Sequence, residues 1–204
     1  LAWGLDAGID YYFAKNSLLS ASIYARDIDN VILYSLYRDG KRWVSMPANS
    51  GGARVYGATL EVRMPLTQAL SVRANATFNR SHLDSVPGPD NRLSAQTPLS
   101  GNAALSYKHA ALTFDAEFSY EAGGPARESL TTISTAPYQR KLDLRATWAL
   151  SPQQELRMAV SDVLHPDLTA IERYEDKENR TWRQTAIRTQ GGATLRLNYT
   201  HRFN

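Results

Sequence analysis

The chain ends on Gly191-Gly192-Ala193-Thr194-Leu195-Arg196-Leu197-Asn198-Tyr199-Thr200-His201-Arg202-Phe203-Asn204. From residue 193 onward the apolar side chains occupy odd positions, a period of two that predicts a strand with one apolar and one polar face. Soluble strands usually have about five or six residues. A tilted strand that crosses a bilayer needs roughly nine to eleven. The segment 193–203 therefore predicts either a membrane-spanning strand or a long strand of a soluble β-protein.

Composition narrows the class of protein. With 204 residues, 43% of them apolar, the chain is long enough for one all-β domain. The net charge of +3, from 23 basic and 20 acidic residues, gives no indication of nucleic-acid binding. The lack of cysteine excludes disulfides and thiolate metal sites. No apolar run approaches the roughly eighteen residues of a membrane helix, and a membrane β-barrel needs none because its strands alternate.

The alternating pattern of the chain end recurs along the whole sequence. Nine segments show it, and the links between them alternate strictly between short and long. We predict strands over 1–13, 18–35, 70–79, 100–108, 112–121, 138–150, 156–161 and 193–203, a loop over 36–42, and an outward extension of the last strand over 182–189. The third strand is predicted to start near Trp43, to be broken by Pro47 and Gly51-Gly52, and to resume over 56–64. Membrane barrels have short turns on the periplasmic side and long loops outside, an asymmetry that a soluble sandwich has no reason to show.

Aromatic residues occur at both ends of the predicted strands. Trp3 and Phe13 are ten residues apart, as are Tyr138 and Trp148. Ten steps of about 3.3 Å, tilted by roughly 45°, span about 23 Å, close to the apolar band of about 25 Å between the aromatic girdles of membrane barrels. The pattern predicts a periplasmic girdle of Phe13, Tyr107, Trp148 and Phe203 and an outer girdle of Trp3, Phe78, Tyr120 and Tyr138.

The face opposite the apolar rows is strongly charged. It carries carboxylates such as Asp115 and Glu117 and cations such as Lys141 and Arg145. A wide barrel solvates such charges in its lumen, whereas a small barrel would have to bury them. Nine strands leave unpaired edges, and bacterial single-chain barrels have even strand numbers, so we expect further strands before Leu1.

Four segments resemble TonB-dependent outer-membrane receptors, in the C-terminal part of their β-barrel. They are Ser22-Ile23-Tyr24-Ala25-Arg26-Asp27-Ile28-Asp29-Asn30-Val31-Ile32, Asn49-Ser50-Gly51-Gly52-Ala53-Arg54-Val55-Tyr56-Gly57-Ala58-Thr59-Leu60-Glu61, Val160-Ser161-Asp162-Val163-Leu164 and the Arg202-Phe203 ending. Asp162 stands where the family often has Asn, and Asn204 follows the aromatic residue that is the last one in some families of barrels. The resemblance covers essentially the whole chain.

The resemblance implies an all-β, antiparallel transmembrane β-barrel of the bacterial outer membrane, with about 22 strands and an N-terminal plug. Residues 1–204 would form the C-terminal portion of that barrel, about nine strands, without the plug and the earlier strands. The implied function is active transport of a scarce solute such as a ferric siderophore or cobalamin, with no enzymatic activity and no cofactor. The implied partners are outer-membrane lipid, a metal-chelate or other small-molecule cargo, and an energy-coupling inner-membrane complex that acts through the missing N-terminal region.

Ligand contacts in such a receptor are expected from the outer loops and the upper lumen, where an anionic or aromatic cargo needs cations and flat rings. The candidates are Arg80, His82, Arg92, Arg127, Tyr174 and Trp182. By the same resemblance, the terminal strand with Leu197, Tyr199 and Phe203 is expected to serve barrel assembly.

No motif for catalysis or metal binding emerges. The four histidines are scattered and lack a metal-binding spacing. Asp115 and Glu117 lie about 7 Å apart on one strand face. We interpret them as charges that line the lumen and pair with Lys141 or Arg145, and not as a catalytic pair of carboxylates. Two other classes remain open: a soluble or surface-exposed β-sandwich that binds protein or glycan, and a passive outer-membrane pore.

Overall fold

A computed structural model describes residues 1–49, 51–177 and 180–203. Ser50 of the second resembling segment and Asn204 at the chain end lie outside the described residues, as do Glu178 and Asn179. The described part contains no helix that is long and apolar enough to cross a membrane. Its strands are β1 (Ala2–Ala14), β2 (Ser17–Ile28), β3 (Ile32–Asp39), β4 (Arg42–Asn49), β5 (Ala53–Pro65), β6 (Leu70–Leu83), β7 (Leu99–His109), β8 (Leu112–Glu121), β9 (Gly124–Arg127), β10 (Thr132–Ala136), β11 (Gln139–Ser151), β12 (Gln154–Ser161), β13 (Leu168–Asp176), β14 (Thr181–Thr189) and β15 (Thr194–His201).

Nine strands form one antiparallel sheet in the order β1-β2-β5-β6-β7-β8-β11-β12-β15. Once the strands inside the long connections are set aside, each strand of this sheet pairs with its neighbours in sequence. That is the up-and-down arrangement of membrane barrels. The prediction of an all-β antiparallel fold with nine alternating strands is confirmed.

Short turns join these strands at one end of the sheet. Asn16, in the turn between β1 and β2, has a φ of 62°, and Ala110, between β7 and β8, has a φ of 52°. Asn is one of the residues that tolerate this left-handed region best. Between β5 and β6, Thr67 Oγ1 accepts hydrogen bonds from the backbone N–H groups of Ala69 and Leu70, at 3.1 and 3.0 Å. Local hydrogen bonds therefore close these turns within a few residues.

The long connections lie at the opposite end, and the first of them is a β-hairpin. β3 and β4 pair from Ile32 opposite Asn49 to Asp39 opposite Arg42. The predicted loop over 36–42 is therefore wrong, and so is the continuation of the second strand to residue 35, because β2 ends at Ile28. Pro47, which lacks a backbone N–H, fits within β4 because this two-stranded sheet leaves β4 a free edge.

Two further long connections together build a four-stranded sheet, in the order β14-β13-β10-β9, which we call the loop sheet. Trp182 lies in β14 opposite Glu175 of β13, so the prediction that residues 182–189 extend the last strand is wrong. β15 itself has eight residues instead of the predicted eleven. Residues 182–189 do form a strand, but its partner is supplied by another part of the same connection, which the segment alone does not reveal.

The register of the nine-stranded sheet gathers the apolar rows on one face, which we call the outward face. One such row joins Ile9, Ala21 and Leu60 across β1, β2 and β5. Ile9 and Leu60 stay exposed, as do Phe114 at 47% and Leu144 at 41%, so no second protein layer covers this row in the described part of the chain. A two-layer sandwich would bury them, whereas a membrane barrel presents them to lipid.

The opposite face, which we call the inner face, carries the charges. Arg26 Nη2 donates to Asp6 Oδ1 at 2.8 Å between β2 and β1. Arg145 lies directly opposite Asp115 in the register, but the two side chains form no ion pair in the described part of the chain, so the predicted pairing is not formed. The Asp115 carboxylate instead accepts a hydrogen bond from Ser106 Oγ at 2.7 Å. The sheet is thus apolar on one side and polar on the other, as the walls of water-filled barrels are.

Candidate functional site

The long-loop end of the sheet is held together by a polar network on the inner face. Tyr24 donates its hydroxyl proton to Asn79 Oδ1 at 2.7 Å, and Gln96 Nε2 donates to the same hydroxyl at 3.2 Å. Asn79 Nδ2 donates to the carbonyl of Thr97 at 2.9 Å. Gly57 makes room for the ring, because a Cβ there would lie 2.5 Å from Tyr24 Cε1. Loop residues 84–98 are therefore fixed against the tops of β2 and β6.

An apolar cluster beneath the same loop adds to this attachment. Its buried members come from β5, from the end of β6 and from the loop, and partly buried residues of the β3 region and of the loop itself pack around them. They are Ala53, Leu83 and Val86, surrounded by Val31, Leu33 and Leu93. Burial of this apolar area on the inner face makes the outer rim a packed scaffold for the loops.

Arg92 joins loop 84–98 to β9. Its Nε donates to the carbonyl of Pro125 at 2.8 Å, and its Nη2 donates to the carbonyl of Gly124 at 3.0 Å. Nη1 donates to the carbonyl of Gln96 at 3.0 Å, within the loop itself. The guanidinium of this predicted ligand residue thus bonds three backbone carbonyls. The structure gives it a role in positioning two loops.

Arg80 and His82, two further predicted ligand residues, lie on the outward face. They follow Phe78 at intervals of two along β6, and the buried Ser81 and Leu83 between and beyond them point to the inner side. Together with Arg92 they line a cavity of about 780 Å³. A role in cargo binding stays a prediction for both residues, and their position faces the surroundings of the barrel instead of its lumen.

The loop sheet brings Arg127 and Trp182 to one surface. Arg127 lies opposite Ile133, which lies opposite Arg173, so the two arginines share a face across three strands. Glu175, on that same face, lies opposite Trp182. Two adjoining cavities of about 540 and 410 Å³ open here. We call the surface the loop-sheet patch and define it by Arg127, Arg173, Lys177, Arg180 and Trp182.

The loop-sheet patch is cationic and incompletely satisfied. Its four basic residues face two carboxylates that also line the cavities, those of Glu175 and Asp176. Arg127 Nε is buried and has no hydrogen-bond partner in the described part of the chain. Buried donors normally have a partner, so this unpaired N–H is an exception among the buried polar groups of the loop sheet.

Tyr174, the remaining ligand candidate, is buried on the other face of the loop sheet. Its ring meets Trp43 edge to face with 4.9 Å between centroids, and the Arg183 guanidinium lies 5.2 Å from the Trp43 ring. Its hydroxyl donates to Asp176 Oδ2 at 3.3 Å. Burial, and secondly the nearby Asp176 carboxylate, raise the pKa of the phenol. Tyr174 therefore docks the β3–β4 hairpin on the loop sheet, and cargo contact by it stays a prediction.

An ion pair closes the base of the β13–β14 hairpin. Asp167 accepts hydrogen bonds from Arg188 Nη2 and from the backbone N–H of Gly191, and these bonds hold the pKa of Asp167 below its usual range. A lowered carboxyl pKa stabilises the folded form at neutral pH, and this stabilisation is lost as the pH falls through the lowered value. The loop sheet is thereby tied to the start of β15.

Sequence reasoning missed Trp43, Arg173, Lys177 and Arg180. Lys177 and Arg180 stand close to Trp182 in the sequence, and that cluster of cations beside an aromatic ring was an available signal. Trp43 had none, because its partners Tyr174 and Arg183 are more than 130 residues away. Within the described residues, no three His, Cys, Asp or Glu side chains are grouped as metal ligands would be.

The predicted assembly residues end the nine-stranded sheet. Leu197 and Tyr199 lie on the outward face of β15, opposite Met158 and Leu156 of β12. Phe203 lies beyond the strand, 88% exposed, with its ring 4.4 Å from that of His201. This position, at the periplasmic end of the outward face, agrees with the aromatic girdle, and the role in assembly stays a prediction.

Comparisons with known proteins agree with this geometry. The family model described as "TonB dependent receptor-like, beta-barrel" matches residues 1–163. The solved structure titled "Copper transporter OprC" superposes with a TM-score of 0.72 at 16% identity, over 99% of this chain and 32% of that chain, so the present chain spans about a third of its length. No curated protein is similar enough to match. Because the family model covers most of the sequence, the chain belongs to the TonB-dependent receptor-like β-barrel family of the bacterial outer membrane.

Proposed function

We propose that the chain is the C-terminal wall of an active-transport receptor, about nine strands of a barrel with about 22, completed by earlier strands and an N-terminal plug. The observation that carries the proposal is the unclosed sheet. In the described residues β1 pairs only with β2, and β15 only with β12. Membrane barrels close so that no strand edge meets lipid, and the charged inner face fits a wide, wet or plugged lumen.

The proposed cargo is an anionic metal chelate, such as a ferric siderophore, or another organic solute such as cobalamin. The cations of the loop-sheet patch attract an anionic chelate and repel a bare metal ion. Trp182 offers a flat apolar surface, since it is 75% exposed. The structural neighbour is titled a copper transporter, whereas the described part of this chain groups no three His, Cys, Asp or Glu side chains together. The cations and Trp182 therefore favour recognition of the chelating molecule.

Transport is proposed to depend on an energy-coupling inner-membrane complex. The test uses cells that lack the full-length receptor and cells that express it. We expect the receptor to support accumulation of one member of a panel of radiolabelled ferric siderophores and cobalamin, and we expect a protonophore to abolish that accumulation. Accumulation that is unaffected by the protonophore would identify a passive pore. A panel in which no compound accumulates would contradict the proposed cargo class.

A paired variant links that activity to the loop-sheet patch. Arg127→Glu combined with Lys177→Glu should reduce uptake at subsaturating cargo by at least about tenfold, because each hydrogen bond to a charged group is worth roughly 1.5–3 kcal/mol. Arg38→Glu combined with Arg42→Glu, at the tip of the β3–β4 hairpin, makes the same change of charge and should leave uptake nearly unchanged. Equal effects of the two pairs would place cargo binding elsewhere.

A further inference from the structure

Charged residues are confined to the two ends of the outward face. The register defines this face in all nine strands, and in the described residues its middle carries no charged side chain. Two histidines, His109 and His201, occur at its short-turn end. At the long-loop end lie Asp27, Arg54, Arg80, His82 and Arg140. With neutral histidines, these strand residues carry three arginines against one aspartate, and Asp84, just beyond β6, adds a second carboxylate that pairs with Arg54. One positive charge remains in excess.

Two of the arginines stand directly opposite tyrosines at the outer end of the sheet, and one of these, Tyr120, belongs to the predicted outer girdle. Arg80 of β6 lies opposite Tyr56 of β5, and Arg140 of β11 lies opposite Tyr120 of β8. Aromatic girdles mark the boundary between hydrocarbon and headgroups. Both guanidinium groups are therefore at the level of the outer-leaflet headgroups, on the side of the wall that faces lipid.

Neither of these arginines has a partner among the residues that the structure describes. Both are exposed, and neither makes a hydrogen bond or an ion pair with any described residue. Arg54 differs, because its Nη2 lies 3.1 Å from Asp84 Oδ1, although both side chains are about half exposed. Arg80 and Arg140 thus each present an unused fork of N–H donors, the geometry that binds phosphate in a bidentate manner.

We propose that Arg80 and Arg140 bind the phosphate groups of an anionic lipid of the outer leaflet. The apolar rows directly below them receive its acyl chains, since Tyr56 and Phe78 are followed toward the membrane centre by Ala58, Leu60 and Ala76. The cavity of about 780 Å³ beside Arg80, with Trp3 and Phe78 in its wall, provides room for a headgroup. The excess of positive charge on the outer rim favours an anion over a zwitterionic lipid.

The experiment compares lipids that differ only in phosphate. Full-length receptor in detergent micelles is titrated with lipid A that carries both phosphates and, separately, with dephosphorylated lipid A, and bound lipid is counted by native mass spectrometry. We expect the native protein to prefer the phosphorylated form. In the variant Arg80→Gln combined with Arg140→Gln, the ratio of phosphorylated to dephosphorylated lipid A bound should fall about fivefold for each arginine removed. Millimolar inorganic phosphate should not displace the lipid, because it lacks acyl chains.

Three controls keep the test decisive. Arg42→Gln removes an equally exposed arginine from the β3–β4 hairpin and should leave the preference unchanged. Arg80→Lys combined with Arg140→Lys should keep part of it, and heat-modifiable mobility on gels checks that each variant is folded. The preference is a ratio measured within one protein, so partial unfolding does not mimic its loss. A double Gln variant with the native preference, or complete displacement by inorganic phosphate, would overturn the proposal.

Discussion

Arginine at position 103 is expected to destabilise the folded barrel by about 2–4 kcal/mol, whereas arginine at position 102 should cost less than about 1 kcal/mol. Ala103 and Asn102 are adjacent in β7, and both are exposed when the protein is considered alone. Ala103 lies on the outward face between Ala74 and Phe118, and Asn102 lies on the inner face opposite Asn75. Only a bilayer makes these two positions different.

Unfolding in urea of full-length receptor reconstituted in lipid vesicles measures both changes. The free energy of unfolding of Ala103→Arg should fall below that of Asn102→Arg by the depth-dependent cost of a charge in hydrocarbon. The same two variants in detergent with a thin micelle should differ less. Equal losses for the two variants in vesicles would mean that lipid does not contact this face of β7.

Replacing Arg92 by methionine is expected to release loop 84–98 from β9. The substitution keeps much of the side-chain length and removes all three hydrogen bonds to carbonyls. With hydrogen bonds to charged groups worth roughly 1.5–3 kcal/mol each, the free energy of local opening should fall by at least about 3 kcal/mol. Amide exchange of Leu93 and Arg127, whose N–H groups bond Ser81 Oγ and the Asp90 carbonyl, should accelerate more than about 100-fold.

Arg38 supplies the matched control for that prediction. Its Nε donates to a single carbonyl, that of Gly40, at the exposed tip of the β3–β4 hairpin. Arg38→Met should leave exchange in loop 84–98 at the native rate, and Arg92→Lys should give an intermediate rate because one ammonium group cannot reach three carbonyls in the same geometry. Native exchange in Arg92→Met would show that the polar network around Tyr24 alone holds the loop.

The nine strands of the wall could be predicted because each carries its own signal. Alternation at a period of two is a property of single segments, and the short turns at Asn16 and Ala110 keep consecutive strands paired. The strands in the long connections could not be placed in this way. β14 lacks the regular alternation of β15, and its pairing with β13 instead of the membrane sheet depends on contacts within the connection of residues 162–193.

In the candidate site, too, some features follow from local sequence and others depend on contacts between distant segments. Residue type alone selected Arg80 and His82, although counting by twos from Phe78 already assigns both to the outward face. The burial of Tyr174 under Trp43 depends on two connections meeting in space, which no local pattern encodes. The choice of Asp at position 162 has a local explanation. Its φ of 54° lies in the left-handed region that favours Asn and Asp, and TonB-dependent receptors often have Asn at this place.

The measurement that bears most directly on lipid contact is a spin-label scan along β8. Nitroxides are placed one at a time at residues 112–120 of the full-length receptor in vesicles, and their collisions with oxygen and with a water-soluble nickel chelate are compared. We expect the collision rate with oxygen to be highest at positions 114, 116 and 118, and the collision rate with the nickel chelate to be highest at positions 115 and 117. Low accessibility to oxygen at both phenylalanines, whatever their accessibility to the nickel chelate, would contradict a lipid-facing wall, because it would show that they do not contact lipid.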